Sequence, residues 1–464
     1  MSSVYAPLVS GQHVGVVPGA ERKFNDLPFA CLFAIGVVLF IALGIFGFNY
    51  GDPSILEEQA LADAADPSPL APLINGTNPL VVSFVVVLVF AIVWIQLLRF
   101  AAPLVVKGTL WGGIVALIVF GLFLQNKSDE TPSAQYAAWM IWIVALIFIL
   151  MIFFARNKIE FTILLFENGC RALSHSPGSL IVGFALVTVV AVVFSFYIAA
   201  SSFILTIQES PLVNCLPDET APCQAPRNLW IIFSGLVLWI GYFCNGLAQV
   251  TISGSIASHL YNQTTSGLAS FGRALKSFGS IALASLLIAL ITLLRIIVNA
   301  LQHAARKEGE DIKVQIMLCL IKCCVRCIES IVKYISHYAY IFIAKDGRSF
   351  CSACGQTVEM ISNNVFTMAV SNSISGFVML IGQLVGVAVA MLFATMILDA
   401  SAEPILLVVI FFLAFSIMSV TTRLILVAID TVMVCFFADE SISIDGELAS
   451  ALRGFDEAEY KGTM

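Results

Sequence analysis

Uninterrupted apolar runs of about 20 residues recur from one end of this chain to the other, and a run of that length is what a helix needs to cross a bilayer. No single soluble core can absorb so many of them. The composition agrees: 59% of the 464 residues are hydrophobic and 11% are charged, where soluble domains are about a quarter charged. The runs are continuous rather than alternating, which argues against a β-barrel. The chain therefore reads as an all-α, polytopic integral membrane protein of the plasma membrane or an endomembrane, with the lipid bilayer as its solvent. Expected spans are 29–49, 80–101, 104–124, 136–155, 179–206, 229–251, 278–299, 376–398 and 404–427. A tenth segment, 316–343, is amphipathic. The first run lacks a signal-peptide layout and reads as a retained span. The net charge of −7 sits mostly in two polar segments and gives no reason to expect nucleic acid as a partner.

Sidedness follows from lysine and arginine, which stay cytoplasmic when they lie in short loops. Arg22 and Lys23 precede the first span, whereas loop 50–79 holds Asp52, Glu57, Glu58, Asp63 and Asp66 and no basic residue. This predicts a cytoplasmic tail at 1–28, a transmembrane domain at 29–437 and a cytoplasmic acidic tail at 438–464. The outer loops are then 50–79, 125–135 and 207–228. Asn75-Gly76-Thr77 and Asn126-Lys127-Ser128 are glycosylation patterns, and both fall in outer loops. Cys215 and Cys223 share the outer 207–228 loop, and on an oxidising face a disulfide between them is expected.

The scheme strains after the seventh span, because Arg306, Lys307 and Lys313 would then lie outside. Segment 316–343 also carries Lys322, Arg326, Glu329 and Lys333 roughly on one helical face, with Ile321, Val325, Ile328, Ile331 and Val332 opposite. That pattern fits an interfacial helix or a span packed against protein and water. Among deep ionisable groups, Arg295 is placed to snorkel. Arg423 and Asp430 lie seven residues apart on one face, as a structural ion pair would. Gly382-x-x-x-Gly386 is a helix-approach motif, which implies close packing or a homodimer. No hydrolase triad, P-loop or metal-ligand helix is present, so an enzyme reading is poor and no cofactor is implied.

Five motifs occur in order between about residue 95 and residue 447. They are "RNKIEFTILLFENGCRAL", "GLAQVTISGSIASHLY", "RALKSFGSIALASLLIALITLLR", "CCVRCIESIVKYISHYAYIFIAKDGRSFCSAC" and "IDTVMVCFFADESISIDG". Together they resemble the motif series of the choline transporter-like family. The resemblance implies ten spans with both termini cytoplasmic, so that 316–343 would cross. It also implies carriage of choline or a related small organic cation. Two departures stand out. The first outer loop is only about thirty residues, and Gly376 and Gln383 replace an acid and a lysine common in the family. If 316–343 crosses, Cys324/Cys327 and Cys351/Cys354 lie at different depths. Their C-x-x-C spacing then reads as acylation sites or small hydrophobes, and no metal site is expected.

Choline is a quaternary ammonium with one hydroxyl, so aromatic faces hold its nitrogen and one polar group suits its oxygen. Trp239, Tyr242, Gly246, Gln249 and Ser253 step along one face of the sixth span, with Asn245 beside them. Such a stripe belongs against protein or a water-filled cavity, or it glues helices together. Tyr197 and Trp142 are candidate cage partners. The sequence alternatives to a transporter are a channel, for which no filter-like stretch is present, and a non-transporting membrane scaffold.

Overall fold

The computed structural model describes residues 16–17, 21–51, 77–126, 132–154, 156–207, 209–210, 213–214, 225–263, 266–307, 312–397 and 404–438. Asn75, Lys127, Cys215 and Cys223 lie outside the described residues. So do residues 1–15, 18–20 and 439–464 of the two terminal tails. Eleven helices are found among the described residues: α1 (Leu27–Tyr50), α2 (Thr77–Asn126), α3 (Pro132–Phe154), α4 (Arg156–His175), α5 (Pro177–Leu205), α6 (Ala225–Leu260), α7 (Gly267–Lys276), α8 (Phe278–Lys307), α9 (Ile312–Asp346), α10 (Phe350–Ile397) and α11 (Pro404–Ala438). Two-residue strands β1 (Glu209–Ser210) and β2 (Val213–Asn214) pair antiparallel in the 207–228 loop.

Seven of these helices are long and apolar enough to cross a membrane, and α3 adds a shorter apolar stretch. The protein is thus an all-helical, multi-pass membrane protein. α2 is 50 residues long, about 75 Å if straight and more than twice a hydrocarbon core. Its helical geometry breaks at Ala101, just before Pro103, between the two expected spans 80–101 and 104–124. α10 breaks likewise at Asn364. Large apolar side chains such as Ile35, Val38, Phe100, Leu104, Ile181, Val192 and Phe412 point outward, as lipid-facing positions do.

α9 settles in an arrangement that its sequence left open. Lys322 reaches Gln302 at 3.0 Å, and Glu329 reaches Arg295 at 2.8 Å. Residue numbers rise along α9 as they fall along α8, so the two helices run antiparallel side by side. Glu329 is 5% exposed, whereas Ile321, Ile328 and Ile331 are exposed. Glu329, Lys322 and Lys333 turn toward α8 and Ile321, Ile328 and Ile331 turn out, whereas Arg326 is exposed and Val325 is buried. Arg295 does not snorkel, because Glu329 lies within reach inside the bundle.

Glycine lets other helices touch. A methyl group at Gly382 would overlap the Trp94 indole, and one at Gly386 would meet Met418 and Phe90. The Gly382/Gly386 motif therefore packs α10 against α2 and α11 within one chain, and the close-packing reading of that motif holds. Cys327 precedes the end of α9 at Asp346 by 19 residues, about 28 Å of helix, so its pair and the Cys351/Cys354 pair on α10 are too far apart to share one tetrahedral ion.

The segment before α1 ties the ends of three helices together. The Arg22 guanidinium, 6% exposed, donates to the carbonyls of Ile343 (3.4 Å), Ala344 and Lys345 (3.3 Å). A cation on the last carbonyls of a helix satisfies acceptors that have no intrahelical donor. Burial and the neighbouring Arg273 pull Arg22 down to about 10, partly offset by Asp346, which leaves it charged at neutral pH. Asp26 Oδ2 accepts from Ser280 Oγ (2.6 Å) on α8 and from the Phe350 N–H (3.1 Å) that opens α10.

Candidate functional site

α6 is the hub. It packs on α1 and α5, and its polar face meets α8, α9 and α11. Gly246 makes room on this face, since a Cβ there would strike the phenol of Tyr340. Below and above it, the polar side chains of α6 engage two acidic groups.

The first is Asp430 on α11. His337 Nε2 lies 2.7 Å from Asp430 Oδ2. Gln249 Nε2 lies 2.7 Å from the His337 carbonyl oxygen and 2.9 Å from His337 Nδ1. The carbonyl can only accept, which fixes the Gln249 amide as the donor and makes Nδ1 an acceptor. His337 Nε2–H therefore donates to the carboxylate. Tyr338 Oη approaches Asp430 Oδ1 at 3.5 Å and accepts from Asn372 Nδ2 at 2.7 Å. The Tyr334 ring stands edge-on to Tyr338 with centroids 5.1 Å apart. Among the described residues His337 is the one ion-pair partner of Asp430.

The second is Glu329 on α9. Lys333 Nζ (2.6 Å) and Arg295 Nε (2.8 Å) both contact it. Thr292 Oγ1 donates to it at 3.2 Å. Because that hydroxyl proton is used, Tyr242 Oη, 3.2 Å from Thr292 Oγ1, is the donor of their shared bond. Lys333 Nζ also sits 5.3 Å from the Tyr242 ring centroid. One carboxylate here faces two cations, whereas Asp430 faces a neutral imidazole and a phenol.

Asn245, Arg423 and Tyr334 are exposed, and the His337 and Lys333 side chains are 31% and 37% exposed. Asn245 and Arg423 lie midway along α6 and α11, which are long and apolar enough to cross a membrane. Polar heads on such helices belong against protein or water rather than lipid.

The expected site residues divide into two sets. Tyr242, Asn245 and Gln249 join the polar network, Asn245 by accepting from Arg423 Nη1 at 3.3 Å. Arg423 and Asp430 do not pair with each other, because these neighbours on α6 and α9 take them first. Trp239 lies outside the network. It is 6% exposed, donates to the Ala282 carbonyl at 3.1 Å, and packs edge-on against Phe33. Tyr197 donates to Ser234 Oγ at 2.8 Å on the outer half of α6. Trp142 of α3 lies beside Gly121 of α2. The three do not form one cage. Glu329, His337, Tyr334, Tyr338 and Asn372 complete the network without having been expected. The signal for them was the charged face of 316–343 and the "YISHYAY" run. Gln383 donates to Ser419 Oγ at 2.7 Å.

A family model described as "Plasma-membrane choline transporter" matches residues 139–441. A CTL-like protein of Dictyostelium discoideum is 26% identical over 480 aligned positions, covering 92% of this chain and 87% of that protein. Choline transporter-like protein 5 of Xenopus tropicalis is 27% identical over 311 positions, 57% of this chain and 42% of that protein. Choline transporter-like protein 2 of Danio rerio is 24% identical over 446 positions, 78% of this chain and 63% of that protein. The chain thus spans between 42% and 63% of the length of these last two relatives.

Proposed function

This chain belongs to the plasma-membrane choline transporter family, and from that premise we propose that it carries choline or a closely related small quaternary cation across the membrane. The reading rests on one observation above the rest: Asp430 is a carboxylate in the middle of the bundle whose partners carry no fixed positive charge. A quaternary ammonium in an adjoining crevice supplies the missing charge, and the exposed ring of Tyr334 suits its methyl groups. Asn245 and Gln249 border the same crevice and suit the hydroxyl. Tyr242 lines it through its contact with Lys333, whereas Trp239 and Tyr197 pack on other faces of α6 and Trp142 of α3 stands against α2.

The sidedness we propose puts both termini in the cytoplasm and 50–79, 125–135 and 207–228 outside. It carries glycans at Asn75 and Asn126 and a Cys215–Cys223 disulfide. The lysine and arginine distribution supports it. The family is one of transporters, and no enzymatic step is assigned. The test is flux of radiolabelled choline into liposomes that contain the purified chain, with tetramethylammonium as competitor. Saturable choline flux above that of empty liposomes is expected, and tetramethylammonium should compete. Flux equal to empty liposomes, with no thermal stabilisation by either cation, overturns the proposal in favour of a non-transporting scaffold.

A further inference from the structure

About 15 Å further along α6 from Gln249, at the end of the bundle opposite the 207–228 loop, four helix ends meet around a cavity of about 500 Å³. α4 ends at His175 and α6 ends one residue after His259. α5 begins after Ser176, and α7 begins after Ser266. The two histidine rings stack with centroids 4.9 Å apart and an interplanar angle of 20°. Close approach of the two helix starts depends on Gly267, because a Cβ there would overlap Ser179 N and the Gly178 carbonyl carbon.

The chemistry of the lining is one-sided. His175, His259, Ser176, Ser255, Ser266 and Gln263 face the cavity, and no carboxylate lines it. The carbonyls at the ends of α4 and α6 are already used. Ser176 N–H bonds Leu173 O (3.2 Å), Asn262 N–H bonds His259 O (3.1 Å) and Gln263 N–H bonds Ser258 O (2.8 Å). Asn262 makes this closure possible by adopting φ 54°, the left-handed residue that ends many helices. What remains directed at the cavity is donor-rich: two imidazoles, three hydroxyls and the amino ends of α5 and α7. Helix amino ends favour anions. The buried Arg273 guanidinium adds positive charge one face away, where it donates to Ser258 Oγ and Ser270 Oγ, each at 2.8 Å.

Ser255 is the telling residue. It is 1% exposed and lines the cavity, yet its Oγ has no hydrogen-bond partner in the structure. A buried hydroxyl left unpaired destabilises the fold, and a ligand in the cavity would remove that cost. Ser176 likewise occupies the N-cap position of α5 without capping it.

We propose that this pocket binds a phosphate monoester, with His175, His259, Ser176 and Ser255 donating to its oxygens and the amino ends of α5 and α7 facing its charge. The cavity is larger than inorganic phosphate, so the ester carries an organic group. That group is either a soluble metabolite or the diacylglycerol of a lipid with a phosphomonoester headgroup. The site is separate from the Asp430 crevice and stands or falls independently of choline carriage.

Equilibrium dialysis of the purified full chain against labelled inorganic phosphate tests the shared chemistry. Melting curves in nanodiscs of phosphatidylcholine, with and without phosphatidic acid, distinguish the lipid source. Saturable binding near one phosphate per chain, or stabilisation by phosphatidic acid, is expected. His175→Phe with His259→Phe keeps the ring stack, and Ser255→Ala removes only the unpaired hydroxyl. Each should weaken binding about tenfold or more. Ser255→Ala should leave the melting temperature without phosphate unchanged or raised, which separates lost binding from lost folding. Binding to phosphate alone assigns a soluble ester, and an effect of phosphatidic acid alone assigns a lipid. Absence of both in folded wild-type protein overturns the proposal, as does binding that Ser255→Ala and the double phenylalanine variant leave intact.

Discussion

A carboxylate removed from bulk water is held by countercharge or by hydrogen-bond donors, and Asp430 has donors only. That asymmetry with Glu329, which faces Lys333 and Arg295, is why Asp430 is the proposed attractor for a cation. Two unit charges about 7 Å apart at an effective dielectric near 20 attract by about 2 kcal/mol, roughly thirtyfold in affinity. Asp430→Asn should therefore weaken choline binding by about that factor while the Glu329 cluster keeps the fold. Calorimetric titration of the variant with choline checks this, and unchanged affinity would remove Asp430 from the site. Trp239 should behave differently, because its ring is packed between α1 and α8 rather than presented to the crevice. Trp239→Ala should cost about 3–5 kcal/mol of stability and leave the choline affinity of the folded fraction nearly unchanged. A melting curve and a binding isotherm on the same preparation separate the two effects.

α9 shows how the same amphipathic pattern serves opposite ends in water and in lipid. In a soluble protein the face of Ile321, Ile328 and Ile331 would be the core. Here it is exposed, and Lys322, Glu329, Lys333 and His337 face other helices. Lipid covers an apolar face as well as protein does, so the polar face drives the packing. The Arg22 strap belongs to the same element, since its acceptors are the last carbonyls of α9. Arg22→Ala takes the side-chain donor from the Ala344 carbonyl, while Ile343 O keeps the Gly347 N–H and Lys345 O keeps the Val17 N–H, and it should cost about 1–2 kcal/mol, lowering the melting temperature. Arg22→Lys supplies one compact ammonium in place of a planar fork, so it should recover only part of the loss. Equal melting of wild type and Arg22→Ala would show that the strap adds nothing to stability.

For the whole molecule, the proposed sidedness makes a redox and a glycan prediction together. Alkylation followed by peptide mass should find Cys215 and Cys223 blocked until reductant is added. Cys319, Cys323 and Cys327, exposed on α9, should react without reductant. Enzymatic deglycosylation should shift the mobility of wild type, and Asn75→Gln should remove most of that shift. An epitope at 60–65 that labels only from the cytoplasmic side would invert the scheme.

The apolar runs by themselves determined the fold class and where most of the long helices lie, but not the amphipathic α4 and α7 or the first part of α10; the helical period placed the stripe of polar residues on α6. Those are properties of one segment at a time: run length against bilayer thickness, and the 3.6-residue period. Pairing was decided only in three dimensions. Arg423 and Asp430 look like partners on one helix, yet Asn245 and His337 lie closer once α6 and α9 pack on α11. Arg295 looks like a snorkelling residue until Glu329 arrives from the next helix. Trp239 looks like a cage wall until Phe33 covers it. A hydrogen bond or ion pair acts over about 3 Å, and residues 37 to 178 positions apart meet at that distance here. A local reading of spacing cannot supply those meetings, because which helices become neighbours depends on how the whole bundle divides its surface between lipid and protein.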